Sequence, residues 1–417
     1  MEPISPQQVK GYSQGGTVVD GIAYFTANLY QELFSEDGTL FNNMNKATDY
    51  PYVAAFDIET LKVVQVYPFA DTYDSSPIVI DKKDGTRLLL AHEHEYARTV
   101  AMRTDTAEIE WVSETNQPGS MFFGYSYYLK KDGAKLVLAS VKNGLHAMSL
   151  ETGNDEWFVE SRGGVTPCVD QKKGFIYYQT DGKLVKIDAE TGMIVKTAIV
   201  GTPSSSICWN TIWAEDEGSC YVVTYWYSSE LFGSAIRVYD PELSLIWEKK
   251  GLSLSKKATI AYHAGVLFAG CGDHWQKVDY LELEDDSWKK ISAYQIRNGK
   301  VEWELDLREY GFTCIPNIIY CNGMLIAETQ TNFRQLGYHI FVINAANGKL
   351  LNHYYNEMPA NSCGVPLLSG GKWFSGDLVS DSVLVTTIGS GQKTNWIGAF
   401  GNGQTNDMCA PDSALNK

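Results

Sequence analysis

Two histidines one residue apart, His92 and His94, are the side chains whose type and spacing best suit them to chemistry. They lie in the run His92-Glu93-His94-Glu95-Tyr96-Ala97-Arg98. Alternate side chains of an extended segment point the same way, so the two imidazoles would share one side. Such a pair can contribute to a metal site, or one member can act as a base. A divalent metal would need a third ligand, and His274 and Glu93 are the candidates. The plainer reading is two solvated histidines at a loop end. Further along, Tyr225, Tyr227, His274, Trp275, Asn332, Arg334 and Trp396 fall in or beside long polar connections. Aromatic rings with an arginine suit a sugar or another flat polar ligand, although such residues also serve ordinary loop packing.

A polysaccharide lyase acting on a uronate needs a base, an acid near the leaving oxygen and a cation facing the carboxylate. His92 or His94, Tyr96 or Tyr225, and Arg98 or Arg334 are the candidates for those roles. No motif makes catalysis compelling. There is no Gly-x-Ser-x-Gly, phosphate-binding loop or dinucleotide fingerprint. The eight cysteines include no Cys-x-x-Cys, which argues against a finger- or ribbon-type zinc site. Cys168, Cys220 and Cys271 read as small apolar residues on strands. The acidic run Leu281–Asp286 lacks the spacing of an EF-hand loop.

The formal net charge of −16 repels phosphate backbones and anionic membranes. Nucleic acid is therefore excluded as the expected partner, leaving a carbohydrate, a small molecule or a protein. No apolar run has the length of a transmembrane segment. Met1–Lys10 lacks the apolar core of a signal peptide. The expected location is cytoplasmic, or extracellular or periplasmic if an export signal has been removed.

The elements that must position these residues repeat along the chain. Ala54–Tyr67, Val100–Trp111, His146–Trp157, Val185–Thr197, Arg237–Trp247, Ala293–Trp303 and Phe341–His353 each read as strand, short polar turn, strand. They recur at roughly 40–55 residues, the spacing of propeller blades. Asp57, Asp188, Asp240 and Asn344 precede the turns, where their side chains can accept backbone N–H bonds. Thr152-Gly153, Thr191-Gly192, Asn298-Gly299 and Asn347-Gly348 supply the left-handed turn residue. Trp111, Trp157, Trp247 and Trp303 recur on the outer strand and should fill space between blades. Two further strands precede each hairpin, the first headed by signals such as Ser75-Ser76-Pro77 and Val165-Thr166-Pro167.

The expected fold is all-β: a single β-propeller of four-stranded antiparallel blades spanning 1–417. Blades fill 14–400, and 1–13 and 401–417 are tails or closing strands. Cys363–Leu368, Ser382–Thr387 and Asn395–Phe400 look like an eighth set of strands, completed either by Gln404–Met408 or by the tail around Ile4–Tyr12. Eight blades is the favoured count and seven the runner-up. The connections Asn28–Pro51, Trp226–Ser234, Gly272–Lys290 and Thr329–Tyr338 occupy one slot of the repeat, between second and third strands. Long loops on a rigid scaffold are where function concentrates.

Leu150–Trp157 and Ile187–Gly192 carry an Asp-x-x-Thr-Gly-x-x-x-x-Trp-like pattern. This resembles the PQQ-type (pyrroloquinoline quinone), quinoprotein-like propeller repeat. The resemblance implies the fold over nearly the whole chain and is weak for activity, since the family spans dehydrogenases, outer-membrane assembly scaffolds and surface proteins. Quinone-binding members carry adjacent cysteines, and this chain has none. The expectation is a non-catalytic ligand- or partner-binding propeller without PQQ. A polysaccharide lyase is the alternative, and a quinone or metal oxidoreductase a third reading.

Overall fold

The computed structural model describes residues 7–10, 16–27, 52–70, 77–93, 96–114, 124–141, 143–162, 165–200, 211–228, 233–252, 260–270, 290–310, 314–330, 338–356, 367–377 and 382–388. Among them the regular elements are strands, apart from one 3-10 turn at Arg308–Tyr310. The described strands form eight four-stranded antiparallel sheets, the blades of a β-propeller fold. They divide between two compact units, four sheets in each.

The first unit begins with β1 (Gln7–Lys10). One sheet follows from β2 (Gly16–Val19), β3 (Ile22–Ala27), β4 (Tyr52–Asp57) and β5 (Val63–Pro68). The next holds β6 (Ile78–Asp81), β7 (Arg87–Glu93), β8 (Arg98–Arg103) and β9 (Ile109–Glu114). A third holds β10 (Tyr125–Leu129), β11 (Lys135–Val141), β12 (Gly144–Ser149) and β13 (Asp155–Glu160).

The second unit runs through β14 (Cys168–Asp170), β15 (Phe175–Thr180), β16 (Lys183–Asp188) and β17 (Ile194–Ile199). It continues with β18 (Ile212–Asp216), β19 (Ser219–Ser228), β20 (Gly233–Tyr239) and β21 (Leu245–Leu252). Then come β22 (Ile260–His263), β23 (Val266–Ala269), β24 (Lys290–Gln295) and β25 (Val301–Asp306). Its last sheet is β26 (Cys314–Cys321), β27 (Met324–Gln330), β28 (Tyr338–Asn344) and β29 (Leu350–Asn356). The chain then returns to the first unit as β30 (Leu367–Ser369), β31 (Lys372–Asp377) and β32 (Ser382–Thr387).

The final sheet corrects the sequence reading of the C-terminal repeat. Its third strand is Ser382–Thr387, and Lys372–Asp377 is the second. The outer strand comes from the N-terminal segment, β1 pairing with β32 from Gln7↔Val385 to Lys10↔Ser382. That is the N-terminal alternative the sequence offered around Ile4–Tyr12; what it missed is the strand Lys372–Asp377, which moves Ser382–Thr387 from second place to third. Asn395–Phe400 and Gln404–Met408, assigned as strands from the sequence, lie outside the described residues.

The third-to-fourth-strand hairpins follow the anticipated turn chemistry. Asp57 Oδ1 accepts the N–H groups of Glu59 (3.0 Å) and Thr60 (2.7 Å). Asp188 Oδ1 accepts that of Thr191 at 2.9 Å, and Asn344 Oδ1 that of Ala346 at 2.9 Å. Gly153, with φ +74°, donates to Ser149 O at 2.8 Å, and the register of β12 with β13 shifts there by a bulge.

Packing between successive sheets supplies the core. Leu88, Leu90, Ala101, Trp111, Tyr125, Val137 and Leu150 join two neighbouring sheets of the first unit. Phe268, Ile291, Ile318, Leu325 and Phe341 do the same in the second. Three of the four recurring tryptophans act as read from the sequence. Trp111 Nε1 donates to Leu150 O at 2.9 Å, and Trp303 Nε1 to Ala345 O at 2.9 Å; Trp247 Nε1 donates to Ile296 O. Each reaches the turn of the following blade. Cys168 is buried, which pushes its thiol well above the usual range, whereas Cys220 is half-buried; Cys271 lies outside the described residues.

Candidate functional site

Each second strand runs toward the connection that leads to the third. The connections after β3, β23 and β27 span residues 28–51, 270–289 and 331–337. That after β19 is shorter than the sequence suggested, because β19 continues to Ser228 and β20 starts at Gly233. By contrast, β15 and β16 are joined by Asp181-Gly182 alone.

The strand ends beneath these connections share a polar step. Aligned by their registers, Thr26, His92, Ser140, Gln179, Tyr225 and Glu328 occupy equivalent positions of β3, β7, β11, β15, β19 and β27. All six are at most 2% exposed. The strands below them are apolar, as in Leu88-Leu89-Leu90-Ala91. Burying polar groups costs free energy unless they are hydrogen-bonded, which sets this step of each strand apart from the apolar residues below it. His92 and Tyr225 were singled out in the sequence; Thr26, Ser140, Gln179 and Glu328 were not. Their shared register is the signal that could have found them.

The tip of β7–β8 is the best-defined part. His92 pairs in register with Thr99, which pairs with Ser113. Thr99 Oγ1 lies 3.2 Å from Tyr125 Oη. Burial drives the Tyr125 phenol far above its ordinary pKa, and the Glu93 charge adds to this. Glu93, next to His92 on the strand, projects from the opposite sheet face. Its carboxylate accepts Arg98 Nε–H and the Ala70 N–H, the latter at 2.5 Å. Glu93 is thus engaged elsewhere rather than presented beside His92 as a metal ligand. Arg98 also lies over the Tyr96 ring, 4.8 Å from its centroid. Tyr96 is 56% exposed. A half-exposed guanidinium, braced by Glu93 and backed by an exposed ring, can meet a carboxylate or a flat polar ligand.

Tyr96 and Arg98 therefore come together, with His92 behind them at 1% exposure rather than at a solvated tip. Tyr225, expected from the sequence to face a ligand at a strand end beside a long connection, packs in the core of the second unit with Ile236, Ile260 and Tyr294. Tyr227 lies in β19, paired with Ser234. His94, His274, Trp275, Asn332, Arg334 and Trp396 lie outside the described residues. Among the described residues, no group of three or more His, Cys, Asp or Glu is placed to hold a metal ion. No helix among them is long and apolar enough to cross a membrane.

A second polar cluster went unnoticed in the sequence. His339 Nδ1 lies 2.7 Å from His353 Nε2, with the rings stacked at 4.9 Å. Tyr310 meets His353 edge-on at 4.6 Å, and Tyr355 and Phe341 also adjoin His339. Burial, with His353 adding, lowers the His339 pKa to about 4. The signal was present: His339, Phe341, His353 and Tyr355 alternate on paired strands.

The four-stranded antiparallel blades, their turns and their docked tryptophans define an all-β propeller fold. Two solved structures are similar to it. BamB from Moraxella catarrhalis superposes with a TM-score of 0.56 at 14% identity, covering 92% of this chain and 98% of that one. The dihydro-heme d1 dehydrogenase NirN in complex with DHE gives a TM-score of 0.53 at 12% identity, covering 86% and 76%. At such identities the likeness is one of fold. No family model matches the sequence, and no curated protein matches it.

Proposed function

We propose that this protein is a non-catalytic propeller that binds a ligand or partner through the side of its blades bearing the second-to-third-strand connections. One observation carries the reading. The repeat closes this slot with two residues between β15 and β16, yet spans 28–51, 270–289 and 331–337 in three other blades. A scaffold does not need that added chain, and long loops on rigid elements are the usual carriers of recognition. The braced Arg98–Tyr96 pair lies in the same slot of its blade and suits a carboxylate-bearing or planar group. The NirN neighbour, described in complex with DHE, is in keeping with this fold as a ligand scaffold. A protein, a carbohydrate or a small molecule is the expected occupant of these connections, with PQQ not expected.

The test is to replace 28–51 and 270–289 with Asp-Gly turns copied from β15–β16. Binding of the parent and shortened proteins is then measured against uronate and neutral polysaccharides, DHE, and proteins co-purifying with the parent. The expected result is loss of the parent's ligand with an unchanged melting temperature. Retention of every ligand by the shortened protein would refute the reading. Ultraviolet absorbance from unsaturated uronate products would replace it with a polysaccharide lyase. Two lyase candidates, His92 and Tyr225, are each 1% exposed, so direct substrate contact by either would require the sheet to open.

A further inference from the structure

The imidazole pair of β28 and β29 has a geometry that strand pairing alone does not require. His339 is opposite Tyr355 and Phe341 is opposite His353, so both histidines lie on one face of the paired strands. Rings placed in this way could point apart. Instead Nδ1 of His339 and Nε2 of His353 face each other at 2.7 Å. Both rings are held in that attitude. His339 lies parallel to Phe341, His353 packs on the same ring at 4.8 Å, and Tyr310 meets His353 edge-on. Thr329 Oγ1 accepts the His339 backbone N–H at 2.7 Å, which ties this point of β28 to β27.

Converging imidazoles present what a transition cation takes, since imidazole nitrogen suits zinc, copper and nickel. A tetrahedral cation with bonds of about 2.0–2.1 Å holds its ligand nitrogens about 3.3 Å apart, so the rings need to separate by only about 0.6 Å from their present 2.7 Å. Without a cation the facing nitrogens share one hydrogen. With that hydrogen on His353 Nε2, binding moves it to Nδ1 of the same ring. Both facing lone pairs then become ligands, and no net proton is released. His353 Nδ1 is buried without a hydrogen-bond partner among the described residues, so the move breaks no other bond.

We infer that His339 and His353 form a binding site for a divalent transition cation, with both imidazoles as ligands. Both rings are half-buried, which leaves water to complete the coordination. Two protein ligands are fewer than a structural zinc site carries, so the cation is exchangeable. Glu309, which accepts a hydrogen bond from Tyr310 Oη, acts on His353 electrostatically and offsets part of the added positive charge. The net charge of −16 draws cations to the chain. The pair belongs to the second unit and the Arg98–Tyr96 pair to the first, so this site and the proposed binding surface can fail independently.

Calorimetric titration of the chelator-stripped full chain with Zn²⁺ tests the inference. Saturable binding is expected, including one Zn²⁺ per chain that is lost in His339→Gln and equally in His353→Gln. Any sites formed by other histidines remain in both variants and cancel from the comparison. Mg²⁺ in about tenfold excess should not compete, because it demands oxygen ligands. In the parent, imidazole nitrogen resonances should show His339 ligated through Nδ1 and His353 through Nε2 at saturation, a readout that does not depend on either variant folding. Absence of Zn²⁺ binding, or equal stoichiometry in parent and variants, overturns the inference. So does displacement by Mg²⁺, or a ring-to-ring hydrogen bond that survives saturating Zn²⁺.

Discussion

Two kinds of blade junction coexist in this molecule. In one kind, Trp111, Trp247 or Trp303 crosses to the next blade, donates to a backbone carbonyl and lies on a glycine of that blade's turn. A Cβ on Gly153 would sit 2.4 Å from Trp111 Cε3, and one on Gly348 would sit 2.5 Å from Trp303 Cε3. In the other kind the preceding outer strand has Gln65 or Lys196 instead, and the facing turn carries Ala107 or Leu243. Ala107 and Leu243 both adopt φ +58°. The left-handed turn therefore tolerates a side chain. It is the arriving tryptophan that demands glycine, and where none arrives a tyrosine reaches across: Tyr67 Oη donates to Thr104 O at 2.8 Å and Tyr177 Oη to Pro241 O.

This contrast can be broken at several points. Trp111→Ala should cost the most, about 3–5 kcal/mol in chemical denaturation, because it empties a packed interblade site. Gly153→Ala should cost about 2–4 kcal/mol, combining overpacking with a left-handed backbone. In the double variant Trp111→Ala/Gly153→Ala the glycine penalty should shrink toward the cost of backbone conformation alone; additivity would show that the tryptophan is not what excludes the side chain.

The blade ending in β29 sharpens the comparison, because Asn352 holds its tryptophan slot and an imidazole pair packs nearby. His339 titrates lower in the folded protein, at about 4, than the usual unfolded value of about 6.5. Its contribution is thus present above pH about 6.5 and lost as pH falls through about 4. Melting temperature should decline over that window, with a loss of about 2 kcal/mol after discounting for partial exposure. His339→Gln should flatten the decline. Ala107→Gly should have the smallest effect, a gain within about 1 kcal/mol as strain is relieved against a more flexible unfolded chain. A large loss there would show that Ala107 packing, not its backbone, dominates.

Much of the blade was legible because its determinants are local. The Asp57, Asp188 and Asn344 turns, and the paired strands around them, act within a few residues. The last blade was legible only in part: residue types left two closing strands open, and the one at Gln7–Lys10 pairs with β32 across the whole chain. The candidate site was half legible. Tyr96 and Arg98, named separately as candidates, lie together, whereas His92 and Tyr225, expected at open strand ends of the loop-bearing face, lie buried. Alternation gives the side of a strand on which a residue lies, but not how far the neighbouring blade extends over it.

By itself, the sequence determined the repeat: turn chemistry, strand alternation and the tryptophan ladder are short-range rules written in residue types. Only the tertiary structure decided which polar residues are covered and which turns must be glycine. Those outcomes depend on what the adjacent blade presents. The Trp111 that fixes Gly153 acts on a partner some 40 residues away in the next repeat.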